Sequence, residues 1–221
     1  MKLLFNALTK IIFGFLIIAS LIFLPAGTLN FEGGWVFIGL LFVPISFLGV
    51  VLFIKSPELL KKRLDSKEKE STQKSVVAFA ALIFIAGFIL AGFDFRYSWS
   101  TVPTIVKVIA SILFLFSYLL YAEVMRENSH LSRTIKVEEN QKVIDTGLYG
   151  LVRHPMYLAS ILMFLMIPII LDSWYSFICF AFYPAAIVVR ICNEEKVLTE
   201  QLPGYVQYKQ KVKYRLLPFI W

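Results

Sequence analysis

Apolar residues in this chain are concentrated in six long blocks, which polar or charged segments separate. The blocks occupy residues 11–24, 35–54, 76–93, 104–124, 156–171 and 174–191. A helix that crosses a bilayer needs about 20 apolar residues, with about 17 as the lower limit. The second, third and fourth blocks reach this length. The first does so if its helix begins near Leu3 and Lys10 extends towards the membrane surface. The pattern predicts an all-α, polytopic membrane protein with about five to six membrane segments.

The last two blocks are shorter than the others, and only Asp172 and Ser173 lie between them. This spacing predicts a tight helical hairpin over residues 156–191. Proline removes a backbone hydrogen bond inside a helix, so Pro168 and Pro184 are expected to bend the hairpin.

The charged loops predict the orientation of the chain. If six segments alternate across the membrane, 20 of the 22 basic residues fall on one side, and only Arg96 and Lys107 fall on the other. Positive residues in short loops mark the cytoplasmic side, so both termini are predicted to be cytoplasmic. Residues 1–124 are interpreted as a transmembrane scaffold of four helices with a charged cytoplasmic loop at 55–74. The mixed charges of this loop favour a solvated loop or surface helix over a lipid headgroup site.

Composition excludes several classes of protein. The chain is 58% hydrophobic and only 17% charged, whereas soluble domains are about 25% charged. A soluble enzyme, a disordered chain and a secreted disulfide scaffold are therefore excluded. The net charge of +7 does not indicate nucleic-acid binding, because that needs a basic face on a soluble body. Cys179 and Cys192 fall in one predicted helix about 20 Å apart along its axis, too far for a disulfide.

Polar residues become frequent after Tyr121, and one dense segment is GLYGLVRHPMY at residues 147–157. Proline suits the first turn of a helix, so a helix is predicted to begin at His154 or Pro155. Its free N–H groups would form an anion site, flanked by Arg153, His154 and Tyr157. The alternative is that these side chains only anchor the protein at the membrane boundary.

A second polar segment runs from Arg190 to Pro218. Arg190 and Glu194 are four residues apart and share one face of a predicted helix. They are interpreted either as a pair that holds a polar ligand or as a simple ion pair at the interface. The tyrosines and basic residues that follow, up to Arg215, favour an amphipathic helix on the lipid headgroups.

The order of these motifs resembles a known family. Asn128 and a Gly-Tyr stretch are followed by VRHPMY, a short apolar hairpin, R-x-x-x-E-E, G-Y-x-x-Y and a terminal Arg-x-x-Pro. Over roughly residues 121–218 this pattern is similar to the isoprenylcysteine carboxyl methyltransferases and their phospholipid methyltransferase relatives. The resemblance implies transfer of a methyl group from S-adenosylmethionine at the membrane face. Residues 125–221 would then be the methyltransferase core, with a cofactor loop, the hairpin and a C-terminal interfacial helix.

The resemblance also implies roles for individual residues. It assigns cofactor binding to Gln141, Lys142, Val143, Ile144, Tyr149, His154, Pro155, Met156, Tyr157 and Glu194. It assigns substrate binding to Arg190. Arg190 and Glu194 are the expected catalytic residues. The cofactor pocket is expected to face the cytoplasm, between the hairpin and the C-terminal helix. Methyl transfer from a sulfonium requires alignment and exclusion of water rather than a metal. His130 and His154 are too few and too distant for a metal site.

The acceptor is expected to be lipidic or prenylated. Arginine binds carboxylates in a bidentate fork, so Arg190 favours O-methylation of a carboxylate. An amine acceptor must lose a proton, for which Glu194 and Glu195 are candidate bases, so phospholipid N-methylation remains the alternative. Two other readings are an NADPH-dependent sterol or lipid reductase and a non-enzymatic transporter or assembly protein. A bacterial inner membrane is favoured, with the endoplasmic reticulum as the alternative.

Overall fold

The computed structural model describes residues 2–65, 71–128 and 141–221, and within these ranges all regular structure is helical. The helices are α1 (Lys2–Ala26), α2 (Glu32–Lys55), α3 (Pro57–Leu64), α4 (Ser71–Tyr97), α5 (Thr104–Glu127), α6 (Pro155–Ile170), α7 (Trp174–Phe180), α8 (Tyr183–Gln201) and α9 (Tyr205–Lys211). A single 3₁₀ turn, Gly147–Gly150, precedes α6. The all-α prediction is confirmed. His130 and most of the loop between α5 and the 3₁₀ turn lie outside the described residues.

Within the described part of the chain, five segments are long and apolar enough to cross a membrane. They are Leu3–Ala26, Glu32–Lys55, Gln73–Tyr97, Thr104–Glu127 and Trp174–Gln201. The fifth apolar block forms α6, which has only 16 residues and spans about 24 Å at 1.5 Å per residue. The chain is a multi-pass membrane protein.

The hairpin forms as predicted, but its second arm is broken into α7 and α8. Pro184 lies in the first turn of α8, where proline costs no helical hydrogen bond, so it starts a helix rather than bending one. Pro168 remains inside α6. Cys179 and Cys192, expected on one helix, lie on α7 and α8 and are both free thiols.

Aromatic side chains fill the centre of the bundle. The ring of Phe84 on α4 makes edge contacts with Phe164 on α6 and Phe180 on α7, at centroid distances of 4.8 and 5.2 Å. Gly87 lets α7 approach α4 closely, since a Cβ atom there would lie 2.4 Å from the Phe180 ring. These contacts fix the hairpin against the scaffold and thereby position the start of α6.

Three interhelical turns meet at one end of the bundle, here called the turn end: α1–α2, α4–α5 and α6–α7. Asp94 accepts hydrogen bonds from the Ser100 backbone N–H (2.7 Å) and the Ser173 hydroxyl (2.5 Å). Asp172 accepts from the Val102 N–H (2.6 Å) and Lys107 Nζ (2.9 Å).

The opposite end, here called the polar end, collects the start of α1, α3, the end of α5, the start of α6 and the C-terminal segment. Lys10 donates to the Leu64 carbonyl, which joins α1 to α3. The backbone N–H of Arg153 donates to the Tyr214 carbonyl (2.9 Å), which joins the start of α6 to the C-terminal segment. The first part of α1 and the C-terminal segment therefore lie at this end. That this end faces the cytoplasm stays a prediction.

Candidate functional site

A buried carboxylate organises the polar end. Glu195 on α8 is 3% exposed. Its Oε1 accepts from Arg153 Nε at 2.7 Å and lies 3.2 Å from His154 Nε2, and its Oε2 accepts from Arg215 Nε at 2.9 Å. A buried charge is tolerated when it is paired and hydrogen-bonded, and these contacts satisfy both oxygens. We call Arg153, His154, Glu195 and Arg215 the Glu195 cluster.

The Glu195 cluster also holds the C-terminal segment against the start of α6. Arg153 Nη1 donates to the carbonyls of Val212 (2.7 Å) and Lys213 (2.9 Å). The His154 N–H donates to the Arg215 carbonyl at 2.9 Å. The helix start predicted at His154 or Pro155 is confirmed, and α6 begins at Pro155 with His154 as the preceding residue. Arg153 and His154 are buried and directed at protein groups, so the structure uses them to position α6. A cofactor contact by His154 stays a prediction.

Arg190 and Glu194 meet at a tyrosine from the neighbouring helix. Tyr157 on α6 donates its hydroxyl proton to Glu194 Oε2 at 2.5 Å and accepts from Arg190 Nε at 2.9 Å. The Arg190 guanidinium lies 5.9 Å from the Tyr157 ring centre. Arg190 and Glu194 are both half-buried, whereas Tyr157 is buried. This Tyr157 triad places a cation, a neutral hydroxyl and a carboxylate side by side at the polar end.

Tyr149 is fixed beside the end of α5. Its hydroxyl accepts from Asn128 Nδ2 at 3.0 Å, and its carbonyl accepts from the Tyr208 hydroxyl at 2.8 Å. Glu127 holds the 3₁₀ turn through the Leu148 N–H at 3.0 Å. Burial raises the pKa of Tyr149 to about 12, so its hydroxyl is neutral at physiological pH.

Gly147 lets the chain turn into this position. Its φ of 53° is in the left-handed region, which favours glycine. A Cβ atom at Gly147 would also collide with the Glu127 carboxylate.

The predicted cofactor loop lies along the same end of the molecule. Ile144 packs in the apolar cluster that contains Tyr149 and Met156, and Val143 packs against Tyr205 and its neighbours. Gln141 is half-buried and Lys142 is exposed. The structure therefore brings Ile144, Tyr149 and Met156 together, and it leaves the Lys142 side chain in solvent.

Three features of this end escape the sequence pattern. Glu195 appears in the sequence only as a second glutamate, and nothing local marks it as the buried member of the pair. Tyr205 and Tyr208, expected on lipid headgroups, are 3% and 5% exposed within the protein. Arg215, expected in an interfacial basic run, binds Glu195 instead. The G-Y-x-x-Y spacing predicts both tyrosines on one helix face, but it does not show whether that face contacts protein or lipid.

An apolar groove lies between α4 and α8, next to the Tyr157 triad. It has a volume of about 290 Å³ and is lined by Ser75, Val76, Phe79, Ala185, Ala186 and Val189. Val189 directly precedes Arg190, whose backbone carbonyl accepts from Gln73 Nε2 at 3.4 Å. Consecutive residues of α8 therefore line the groove and supply the arginine of the triad.

Across residues 2–65, 71–128 and 141–221, no three His, Cys, Asp or Glu side chains are grouped as a metal site would require. Several charged groups of the polar end instead form ion pairs or bond backbone groups, as Arg153, Glu195 and Arg215 do.

A family model described as phospholipid methyltransferase matches residues 105–203, just under half of the chain. The matched region contains α5 to α8 and therefore Tyr149, the Tyr157 triad and Glu195. It excludes α1 to α4 and the C-terminal segment. No curated protein sequence matches the chain significantly. The match implies a methyltransferase, and with five candidate membrane helices, a membrane methyltransferase. The resemblance to isoprenylcysteine carboxyl methyltransferases stays a prediction.

Proposed function

We propose that this protein is an S-adenosylmethionine-dependent methyltransferase that acts on a lipidic acceptor at the polar end of the bundle. The observation that carries the proposal is the Tyr157 triad, in which Arg190 and Glu194 meet one tyrosine inside the family-matched region. A second support is the apolar groove beside Arg190, which suits a hydrocarbon chain.

The donor side of the site is assigned to residues whose chemistry fits the cofactor. S-adenosylmethionine supplies the electrophilic methyl group, and it carries an ammonium, a carboxylate and an adenine. Glu194 offers a half-buried carboxylate for the ammonium. Tyr149 and Met156, which share one apolar cluster, offer apolar faces for the adenine. We assign donor binding to Gln141, Lys142, Val143, Ile144, Tyr149, His154, Pro155, Met156, Tyr157 and Glu194. Of these, His154 and Pro155 act mainly by fixing the start of α6.

The acceptor side is assigned to Arg190 and the groove. A guanidinium keeps its charge at every physiological pH and binds an oxyanion in a fixed fork. A carboxylate needs no base, because its oxygen is already nucleophilic. Glu195 is occupied by Arg153, His154 and Arg215 and is therefore a poor proton acceptor. These arguments favour O-methylation of a lipidic or prenylated carboxylate.

Phospholipid N-methylation is the second candidate, and the description of the matched family favours it. In that case Glu194 is the remaining base for the amine, and Arg190 binds the phosphate of the headgroup. Both reactions use the same donor site, so they differ only in the acceptor.

The test is methylation by the detergent-purified chain, with S-adenosylmethionine labelled in its methyl group. A prenylated cysteine acid and an aminophospholipid are offered separately, and the products are identified by mass spectrometry. For the carboxylate, Arg190→Gln is expected to abolish most turnover and Arg190→Lys to restore part of it, with donor affinity unchanged. Arg126→Gln is the matched control, because Arg126 is exposed and pairs only locally with Glu123. Full turnover in Arg190→Gln contradicts the acceptor assignment.

The location of the protein is part of the proposal. We propose a bacterial inner membrane, with both termini and the polar end in the cytoplasm. The bilayer supplies the acceptor and the cytoplasm supplies the donor. Single cysteines introduced at Glu32 and Lys61, in a background without Cys179 and Cys192, should be labelled from opposite sides of the membrane.

A further inference from the structure

The short helix α3 lies outside the family-matched region and packs against the site. Its residues Leu59 and Leu60 are each 6% exposed. Leu59 belongs to the apolar cluster that contains Val124, Tyr149 and Met156. The charged segment at 55–74 therefore contains a helix, α3, whose apolar face packs against the polar end.

This attachment brings Arg63 to the residues assigned to the donor. Arg63 Nη1 lies 3.7 Å from Met156 Sδ, and its guanidinium carbon lies 5.2 Å from the Tyr121 ring centre. Arg63 is half-buried, whereas Lys61 on the same helix is exposed. The cation of Arg63 is thus held between α5 and α6 rather than extended into solvent.

A cation and an anion from separate helices contact adjacent residues at the start of α6. Arg63 on α3 contacts Met156, and Glu194 on α8 accepts from the hydroxyl of the next residue, Tyr157. Both charges also act on Tyr149. Burial raises the pKa of Tyr149 most, the hydrogen bond from Asn128 lowers it, the charges of Glu194 and Glu127 raise it, and the charge of Arg63 lowers it. The amino-acid end of S-adenosylmethionine is a zwitterion, and a pair of opposite charges matches its carboxylate and its ammonium.

We propose that Arg63 is a further binding residue of this site and that it binds the carboxylate of the methyl donor, while Glu194 binds the ammonium. The assignment rests on the proposed function. The start of α6 is the other candidate for the carboxylate, but the His154 ring there is directed at Glu195. The His154 N–H is already donated to the Arg215 carbonyl, and Pro155 has no N–H. A guanidinium, by contrast, can offer a carboxylate two parallel hydrogen bonds.

Two nucleosides separate this assignment from a structural role. S-adenosylhomocysteine has the amino-acid end of the donor, and 5′-methylthioadenosine has the same nucleoside and thioether without it. Binding of each is measured by calorimetry on the detergent-purified full chain, for the unaltered protein, Arg63→Gln, Arg63→Lys and the control Lys61→Gln. Thermal unfolding is recorded for every variant to compare their folding.

Arg63→Gln is expected to weaken S-adenosylhomocysteine about 10- to 100-fold, the range for a charged hydrogen-bonded contact. It should leave 5′-methylthioadenosine unchanged. Arg63→Lys should recover part of the loss, and Lys61→Gln should match the unaltered protein. Equal weakening of both nucleosides, or no weakening of either, overturns the assignment. If Arg63→Gln raises only the KM of the lipid acceptor in the methylation assay, the assignment is also overturned. Arg63 would then bind an anionic headgroup. If the unaltered chain binds neither nucleoside, the proposed function itself fails, and this assignment fails with it.

Discussion

The two ends of the helix bundle each contain a buried carboxylate, but they surround it with different groups. At the turn end, Asp94 is held by Ser100 and Ser173, through hydroxyls and a backbone N–H. At the polar end, Glu195 is held by two arginines and a histidine. The first arrangement joins neighbouring turns. The second joins two helices and the C-terminal segment.

The difference shows that a buried acid does not by itself mark a functional site. Both carboxylates are satisfied by protein groups, as buried polar groups generally are. The polar end differs because it also contains the Tyr157 triad, in which Arg190 and Glu194 are half-buried. Chemistry is therefore expected beside the Glu195 cluster rather than at Glu195 itself.

The largest effect is expected from Glu195→Ala. This change leaves the buried Arg153 without its carboxylate, and breaking a buried ion pair costs about 3–5 kcal/mol. The midpoint of thermal unfolding in detergent should fall strongly, and S-adenosylhomocysteine binding should be lost because the start of α6 is released. Glu200→Ala, at an exposed position of the same helix, is the control. A stable Glu195→Ala variant would show that the cluster does not hold this end together.

Asp94→Asn tests the buried carboxylate of the turn end. One Asp94 oxygen accepts from Ser100 Oγ and Ser173 Oγ, and an amide cannot serve both hydroxyls equally well. We expect a loss of about 1–3 kcal/mol in the free energy of unfolding, with unchanged donor binding and unchanged KM values. Glu32→Gln, exposed at the same end, serves as the reference. Weaker donor binding in Asp94→Asn would mean that the turn end also supports the site.

Tyr157→Phe removes the hydroxyl that joins Arg190 to Glu194 and keeps the ring. The free energy of unfolding should fall by about 1.5–3 kcal/mol, because the lost hydroxyl is hydrogen-bonded to charged groups. Turnover should also fall, by about tenfold or more, because both side chains lose their common orientation. Tyr183→Phe removes a hydroxyl that makes only a long contact of 3.4 Å to Ser160, and it should retain activity. Equal losses in the two variants would argue against a special role for the triad.

The smallest effect is expected in the groove between α4 and α8. Ala185→Phe adds a ring to its lining and should raise the KM of a long-chain acceptor severalfold, while donor affinity stays unchanged. Val188→Phe places the same ring at an exposed position of α8 that does not line the groove. Steady-state kinetics with long- and short-chain acceptors measure the difference. A KM that is independent of chain length in Ala185→Phe would remove the groove from the acceptor site.

The sequence by itself determined the helical class, the number of apolar segments and the start of α6. These features are local. A block of about 20 apolar residues specifies a membrane helix wherever it occurs, and Pro155 specifies a helix start because its ring lacks the N–H that a helix interior needs. The spacing of Arg190 and Glu194 likewise predicted a shared face, which Tyr157 confirms.

Only the tertiary structure decided which glutamate is buried and which faces the site. Glu194 and Glu195 are adjacent in sequence, but successive residues of a helix are rotated by about 100°. Which of the two meets Arg153 depends on how α8 is turned against α6. The same reason applies to Tyr205 and Tyr208, whose surroundings depend on where the C-terminal segment packs. Arg63 reaches Met156 only because Leu59 docks α3 on the cluster around Tyr149, and contacts between such distant residues follow from packing rather than from local pattern.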